Sequence, residues 1–404
     1  MRNTGHRIAA AIILTVAPVL ILAESVDLPG QEAFTARAGD PPSSIDVGRG
    51  PVGVHSPPSY NPATPMPLLI LLHGYSSSGA GQEGYMQFTP LADEFGYLYL
   101  HPDGRNEASA NAYRFWSATS ACCNFFGAPD TDVDYIMALV TEMKALFNVD
   151  PMRVYLIGHS NGGFMSQRMA CEHSDTFAAI ATLAGSSFFD ADDCQPTGNV
   201  HALQIHGTAD GTIGYYEPAY TYLDNPPAGY FPGAVELTER WAAKNGCNVV
   251  ADTSAPNIDL ERNLGGDEST VMKFASSCDT GGSSELWSII NGGHVPALSA
   301  TFSRQVVEWL YAHPKKLDEA WIDFEWTGTR LGLEDMPFAS LAGGLNATVS
   351  SGTVKIKGDT GDNSSSETVS VDQAVTIEAV GGPVTIGAPE ARVFKNRSGF
   401  IARQ

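Results

Sequence analysis

The chain has 404 residues, 43% of them hydrophobic and 17% charged, enough to bury one large core and still carry a smaller appended unit. Its net charge of −22, from 45 acidic against 23 basic residues, argues against nucleic acid or an anionic membrane surface as a partner. Of these, 33 acidic and 14 basic residues precede Lys315, so the acidity belongs mainly to the longer first part, where it serves solubility.

At the amino end, Arg2 and Arg7 flank the start of an apolar run from Ile8 to Ala23, and Glu24 and Ser25 follow it. This is the layout of a signal peptide over residues 1–23, with an uncleaved anchor as the alternative. Either way the body of the protein is expected outside the cell, because no other stretch is long and apolar enough to cross a bilayer. Six cysteines agree with an oxidising compartment, and they allow 15 pairings among which the sequence does not choose. None falls in a C-x-x-C pair, and the adjacent Cys122 and Cys123 lack zinc-ligand spacing, so a structural zinc is not expected.

Residues 24–47 read as a leader, and the alternation around Val52 and Val54 reads as an edge hairpin. Apolar runs ending in glycine or a turn then recur at 67–74, 96–102, 153–158, 177–181, 201–207 and 286–290, as expected of strands buried on both faces. Between them, Asp132 is placed to cap a helix carrying Val133, Ile136, Val140, Met143 and Phe147, and Asn161 to His173 supplies another. Alternating strands and helices predict an α/β fold over 48–314, a mostly parallel sheet covered on both faces. After a linker at 315–336 with Trp321 and Trp326, residues 337–404 predict a small all-β unit. Its pairs Val354/Ile356, Val369/Val371, Val375/Ile377 and Val384/Ile386 resemble rungs of a right-handed parallel β-helix.

Gly158-His159-Ser160-Asn161-Gly162 stands between a predicted strand and a predicted helix, the context that a nucleophilic serine on a tight turn requires. A serine hydroxyl is a weak nucleophile at neutral pH and needs a base, itself oriented by a carboxylate. Asp210 follows the strand ending at Gly207 and His294 follows the strand ending at Ile290, in the chain order Ser, Asp, His of the α/β-hydrolase fold. Asp190, Asp192 and Asp193 are alternative acids. His73 and His206 end buried strands and are expected to satisfy backbone groups, while His159 lies inside the turn and His6 in the signal. The backbone N–H groups of Asn161 and Tyr75 are expected to form the oxyanion hole, Gly74 allowing close approach. Asp359, Asp362 and Asn363 lack the ordered spacing of a calcium loop and read as a solvated turn.

With His73-Gly74-Tyr75, His101-Pro102-Asp103-Gly104, Trp116 before Cys122-Cys123-Asn124, the serine turn and His206-Gly207-Thr208-Ala209-Asp210-Gly211, residues 48–312 resemble the extracellular esterase family of polyhydroxybutyrate depolymerase-like enzymes and feruloyl esterases. The resemblance implies ester hydrolysis through an acyl-enzyme, without metal or organic cofactor, by Ser160, Asp210 and His294. It also implies a bridge between Cys247 and Cys278. The chain departs from many relatives after the base, with Val295-Pro296-Ala297 in place of Thr-Trp-Pro. The expected function is that of a secreted serine esterase acting on an extracellular polymer, either a polyhydroxyalkanoate or an acylated plant polysaccharide, with the tail a candidate for binding polymer or cell surface. A serine peptidase of the same fold and an inert surface-binding module are the competing readings.

Overall fold

The computed structural model describes residues 41–108, 111–216, 219–220, 229–279, 281–328, 330, 332–334, 336–358, 363–371 and 373–387. The expected signal peptide, most of the leader, and Asp359 and Asp362 lie outside them. The described residues divide into two compact units between Lys315 and Lys316.

The first unit is built on nine strands: β1 (Ser44–Ile45), β2 (Val52–His55), β3 (Met66–Leu72), β4 (Leu98–Leu100), β5 (Val149–His159), β6 (Ala179–Leu183), β7 (His201–Gly207), β8 (Ser269–Phe274) and β9 (Ser283–Ile289). They lie in the order β1-β2-β4-β3-β5-β6-β7-β9-β8. From β4 to β9 all neighbours are parallel, whereas β1, β2 and β8 complete the edges antiparallel. This is the α/β-hydrolase arrangement. The chain moves outward from β3 to β4 and then returns to β5 on the other side of β3. The loops after β3 and β5 therefore part at the switch point, where open α/β sheets bind ligands.

Alternation along the strands sorts the core into two layers. Leu68, Ile70, Leu72 and Leu156 pack with residues of helices α3 (Asp132–Leu146), α4 (Asn161–Glu172) and α5 (Ala234–Lys244) on one face. Leu69, Leu71, Tyr155 and Ile157 pack on the other face with α1 (Gly79–Met86), α2 (Thr89–Phe95) and α6 (Phe302–Tyr311). Strands buried on both faces read as the continuous apolar runs seen in the sequence. Edge strand β8 was not expected, because its Ser-Thr-Val-Met-Lys-Phe mixes exposed and buried positions. Asp132 is not the cap of α3. It is the first helical residue, and its fully buried carboxylate accepts instead from Arg49, Arg105 and the Ser117 N–H. Disulfides join Cys122 to Cys123, Cys171 to Cys194, and Cys247 to Cys278.

The second unit pairs β10 (Leu317–Ile322), β11 (Thr348–Lys357) and β13 (Thr376–Val380) in parallel, and β12 (Ser364–Ser365) with β14 (Thr385–Ile386), also in parallel. All four expected apolar pairs join one cluster around Ile322 and Leu341. Two features differ from expectation. Strand β10 lies within the segment expected as linker, because only Ala320–Ile322 is buried and its first half shows no apolar alternation. A short helix, α7 (Leu341–Ala347), interrupts the β structure, started by Ser340, whose hydroxyl accepts from the Gly343 N–H at 3.1 Å.

Strand β5 and helix α4 meet with almost no space between them. A Cβ on Gly162 would lie 2.1 Å from the Leu72 carbonyl oxygen, and one on Gly158 would lie 2.1 Å from that of Gly162. Backbone cannot retreat as a flexible side chain can. Gly162→Ala is therefore expected to lower the melting temperature sharply or abolish soluble expression; a variant that melts like the parent would show that the turn is less tightly held.

Candidate active site

The carboxyl end of β5 leads straight into α4, and Ser160 is the junction. Its φ of 53° and ψ of −119° lie in a region that side-chain-bearing residues avoid, at a cost of about 1–3 kcal/mol. The conformation is held from both sides: the Ser160 N–H donates to Leu183 O at 2.8 Å, and its carbonyl accepts from the Phe164 N–H at 3.0 Å.

The three residues singled out for chemistry come together although 134 residues separate the first from the last. His294 Nε2 lies 2.9 Å from Ser160 Oγ, and His294 Nδ1 lies 2.7 Å from Asp210 Oδ2. With the Nδ1 proton donated to the carboxylate, Nε2 is left as an acceptor facing the serine hydroxyl. Asp190, Asp192 and Asp193 are instead in or beside an exposed one-turn helix, where Asp190 caps the Asp192 N–H.

Asp210 is buried, yet both carboxylate oxygens accept hydrogen bonds. Oδ1 accepts from the N–H groups of Thr212 (2.8 Å) and Ile213 (2.9 Å), and Oδ2 faces both His294 Nδ1 and, at 3.3 Å, His206 Nε2. Burial alone would raise the carboxyl's pKa. The donors from His206 and His294 outweigh it and hold the group far below the usual carboxylate range.

Gly74 abuts the serine: a Cβ built there would be 3.4 Å from Ser160 Cβ, which puts the Tyr75 backbone at the reacting end of the turn. The Tyr75 hydroxyl donates to the Glu107 carboxylate, and its ring packs edge-on against Tyr113 and Phe125. Asn161 begins α4, so its N–H has no acceptor within the helix. Its side chain ties the turn down: Oδ1 accepts from the Trp116 N–H at 2.7 Å and Nδ2 donates to Trp116 O at 2.8 Å.

Other residues of the site had no signal in the sequence. His159 Nε2 contacts the carbonyl of His294 at 3.0 Å, the Tyr85 hydroxyl donates to Pro296 O at 2.6 Å, and Glu261 accepts from the Ala297 N–H at 2.9 Å. All three fix the loop that carries His294. Burial first, and the neighbouring His294 second, lower the pKa of His159 to about 4, so that ring stays neutral beside the base. His73 does satisfy the backbone, accepting from the Gly104 N–H at 2.8 Å, and burial lowers its pKa too. His206 does the same at Ile213 O (2.8 Å), but its approach to Asp210 was not foreseen. Among the described residues no three His, Cys, Asp or Glu side chains gather as a metal site.

Residues 54–204 match the family model described as Esterase PHB depolymerase. The chain is 34% identical to NocK of Nocardia uniformis subsp. tsuyamanensis over 44% of its own length and 50% of that protein's. It is 26% identical to feruloyl esterase B of Piromyces equi over 56% of this chain and 39% of the relative, and 30% identical to poly(3-hydroxyalkanoate) depolymerase C of Paucimonas lemoignei over 32% and 30%. The chain thus spans half or less of the length of these relatives. The family match ends before Asp210 and His294, which reach Ser160 through the order of the sheet. Strand order and the glycine-flanked serine turn are those of an α/β-hydrolase, and residues 54–204 of this unit are similar to the esterase PHB depolymerase family.

Proposed function

We propose that the protein is a secreted serine esterase that hydrolyses ester bonds of an extracellular polymer through an acyl-enzyme. The observation that carries this reading is the continuous line from Ser160 Oγ through both nitrogens of His294 to Asp210, at 2.9 and 2.7 Å. Ser160 Oγ attacks the ester carbonyl carbon as His294 Nε2 takes the hydroxyl proton. The resulting oxyanion is received by the N–H groups of Tyr75 and Asn161, each such donor being worth ~3 kcal/mol. When the C–O bond breaks, His294 returns the proton to the leaving alcohol. Water then attacks the acyl-serine, His294 takes a proton from it, and passing that proton to Ser160 Oγ releases the carboxylic acid.

Relatives whose names specify polyhydroxyalkanoate and feruloyl esters support a polymer-borne ester as substrate. Exposed Tyr113, Phe125, Phe126, Phe189, Tyr216 and Val295 favour an apolar acyl group or a water-repelling polymer surface over a small polar ester. The three disulfides and the amino-terminal signal pattern support action outside the cell.

Ser160→Ala is expected to cut kcat on p-nitrophenyl butyrate, methyl ferulate or polyhydroxybutyrate film by a factor on the order of 10⁶ while leaving the melting temperature in place. Retained turnover by folded Ser160→Ala protein overturns the reading. Activity is also expected to fall on acidification, because protonated His294 cannot accept the serine proton, whereas Asp210 stays ionised far below that range. A rate that is flat from pH 8 to pH 4 contradicts His294 as the base.

A further inference from the structure

Five buried polar side chains on four secondary-structure elements form one hydrogen-bonded line, Trp241 of α5, Gln167 of α4, Thr182 of β6, and Gln204 and His206 of β7, and its last ring sets Nε2 3.3 Å from the Asp210 carboxylate. The direction of every bond in it is set from one end. The Trp241 indole can only donate, and it reaches Gln167 Oε1. The other end of that amide, Gln167 Nε2, then donates to Thr182 Oγ1 at 3.2 Å. Thr182 donates its own proton to Gln204 Oε1. Gln204 Nε2 is left facing His206 Nδ1 at 2.9 Å, and its second proton goes to Gly185 O at 2.9 Å, an acceptor that independently identifies this end of the amide as nitrogen. With Nδ1 accepting, the proton of the neutral His206 ring must sit on Nε2, which faces Ile213 O at 2.8 Å and Asp210 Oδ2 at 3.3 Å.

We infer that His206 is a positioning residue of the hydrolytic site, setting its Nε2–H edge against Asp210 Oδ2, and that the line from Trp241 exists to fix the His206 tautomer. The inference rests on the serine-esterase reading of Ser160, His294 and Asp210. Two backbone N–H groups on Oδ1 and the His294 imidazole on Oδ2 orient the carboxylate, and the His206 Nε2–H edge 3.3 Å from Oδ2 further stabilises its charge in that orientation. The titratable groups facing the His206–Asp210 pair among the described residues are His294, the neutral His159, and Tyr215, whose ring stands edge-on to His206 at 5.7 Å and whose hydroxyl meets Ser288. No second carboxylate is among them.

The experiment measures kcat, KM and the pH dependence of kcat/KM on p-nitrophenyl butyrate for His206→Leu, His206→Gln and Gln204→Leu, each with its melting temperature and with Ser160→Ala alongside. His206→Leu is expected to lower kcat roughly tenfold with KM little changed, since it removes the N–H edge that faces the charged carboxylate. It is also expected to move the acid limb to higher pH, because a carboxylate with one donor fewer stabilises the His294 imidazolium more. His206→Gln, which keeps an N–H able to reach the acid, is expected to recover most of kcat. Gln204→Leu leaves His206 in place and frees its tautomer, and is expected to lose about threefold in kcat with the limb moving the same way. Parental kcat and acid limb in His206→Leu overturn the inference, as does a His206→Gln variant as slow as His206→Leu at parental melting temperature. If His206→Leu does not fold, parental kcat and acid limb in Gln204→Leu overturn it. Turnover in Ser160→Ala sinks the reading of the site itself, whereas an inactive Ser160→Ala beside an unaffected His206→Leu sinks only the role of His206.

Discussion

The backbone of Ser160 is held in a conformation it would not adopt alone, and the close contact of β5 with α4 is what holds it. Gly158 and Gly162 bring the strand, the first helical turn and the end of β3 to a separation that no other residue fits. The strain at Ser160 is about 1–3 kcal/mol, a small part of what two fully buried layers of Leu, Ile and Phe contribute. In return, the hydroxyl stands at the carboxyl end of the sheet with a helix N-terminus behind it and the Gly74 turn beside it. Both backbone groups of Ser160 are hydrogen-bonded. The turn is therefore over-determined rather than merely permitted, which is what keeps a strained residue in one geometry.

That geometry matters only if the base is equally fixed, and here the molecule relies on neutral dipoles around a single charge. Asp210 is buried, and a buried carboxylate left short of donors would take up a proton rather than orient an imidazole. Backbone N–H groups and two imidazoles prevent it. Two nearby histidines, His73 and His159, are both shifted toward their neutral forms by burial. His294 thus has one anionic neighbour on Nδ1 and a hydroxyl on Nε2, and its loop is pinned at His294, Pro296 and Ala297 by contacts from three separate segments.

The legible part of this arrangement was the part that depends on local order along the chain. Continuous apolar runs marked the inner strands, and a serine between glycines at a strand-to-helix junction marked the turn. Asp210 and His294 could be chosen because each follows a predicted strand and the carboxyl ends of parallel strands share one edge. What stayed hidden depends on which atoms meet across the sheet. Nothing in His206-Gly207-Thr208-Ala209-Asp210 says that the histidine reaches the acid as well as Ile213 O, and nothing near Tyr85 or Glu261 points to a loop more than thirty residues away in sequence. Asp132 misled for the same reason: its position suits a helix cap, but Arg49 and Arg105 compete for its carboxylate. In the second unit the apolar pairs were legible as rungs, whereas β10 was concealed because half of it is exposed.

Rigid and adaptable parts are divided along the same line. The strands, the serine turn and the polar line to Asp210 are buried and mutually constrained, so a change in any of them alters the chemistry. Several apolar side chains left in solvent lie on loops that follow the strands' carboxyl ends: Tyr113 and Phe125 against Tyr75, Phe189 against Tyr230, Tyr216 beside Tyr215, and Val295 next to His294, whereas Val249 and Val250 follow α5. Single exposed apolar residues are ordinary on any surface. Here more of them lie on the loops after the strands' carboxyl ends than elsewhere among the described residues, in a chain of charge −22. On the proposed esterase reading, substitutions on these loops can change which ester is held without disturbing how it is cleaved, since none of these side chains takes part in fixing Ser160, His294 or Asp210. Val295-Pro296-Ala297 lies on this boundary: Val295 faces solvent, while Pro296 and Ala297 are the backbone anchors of the base.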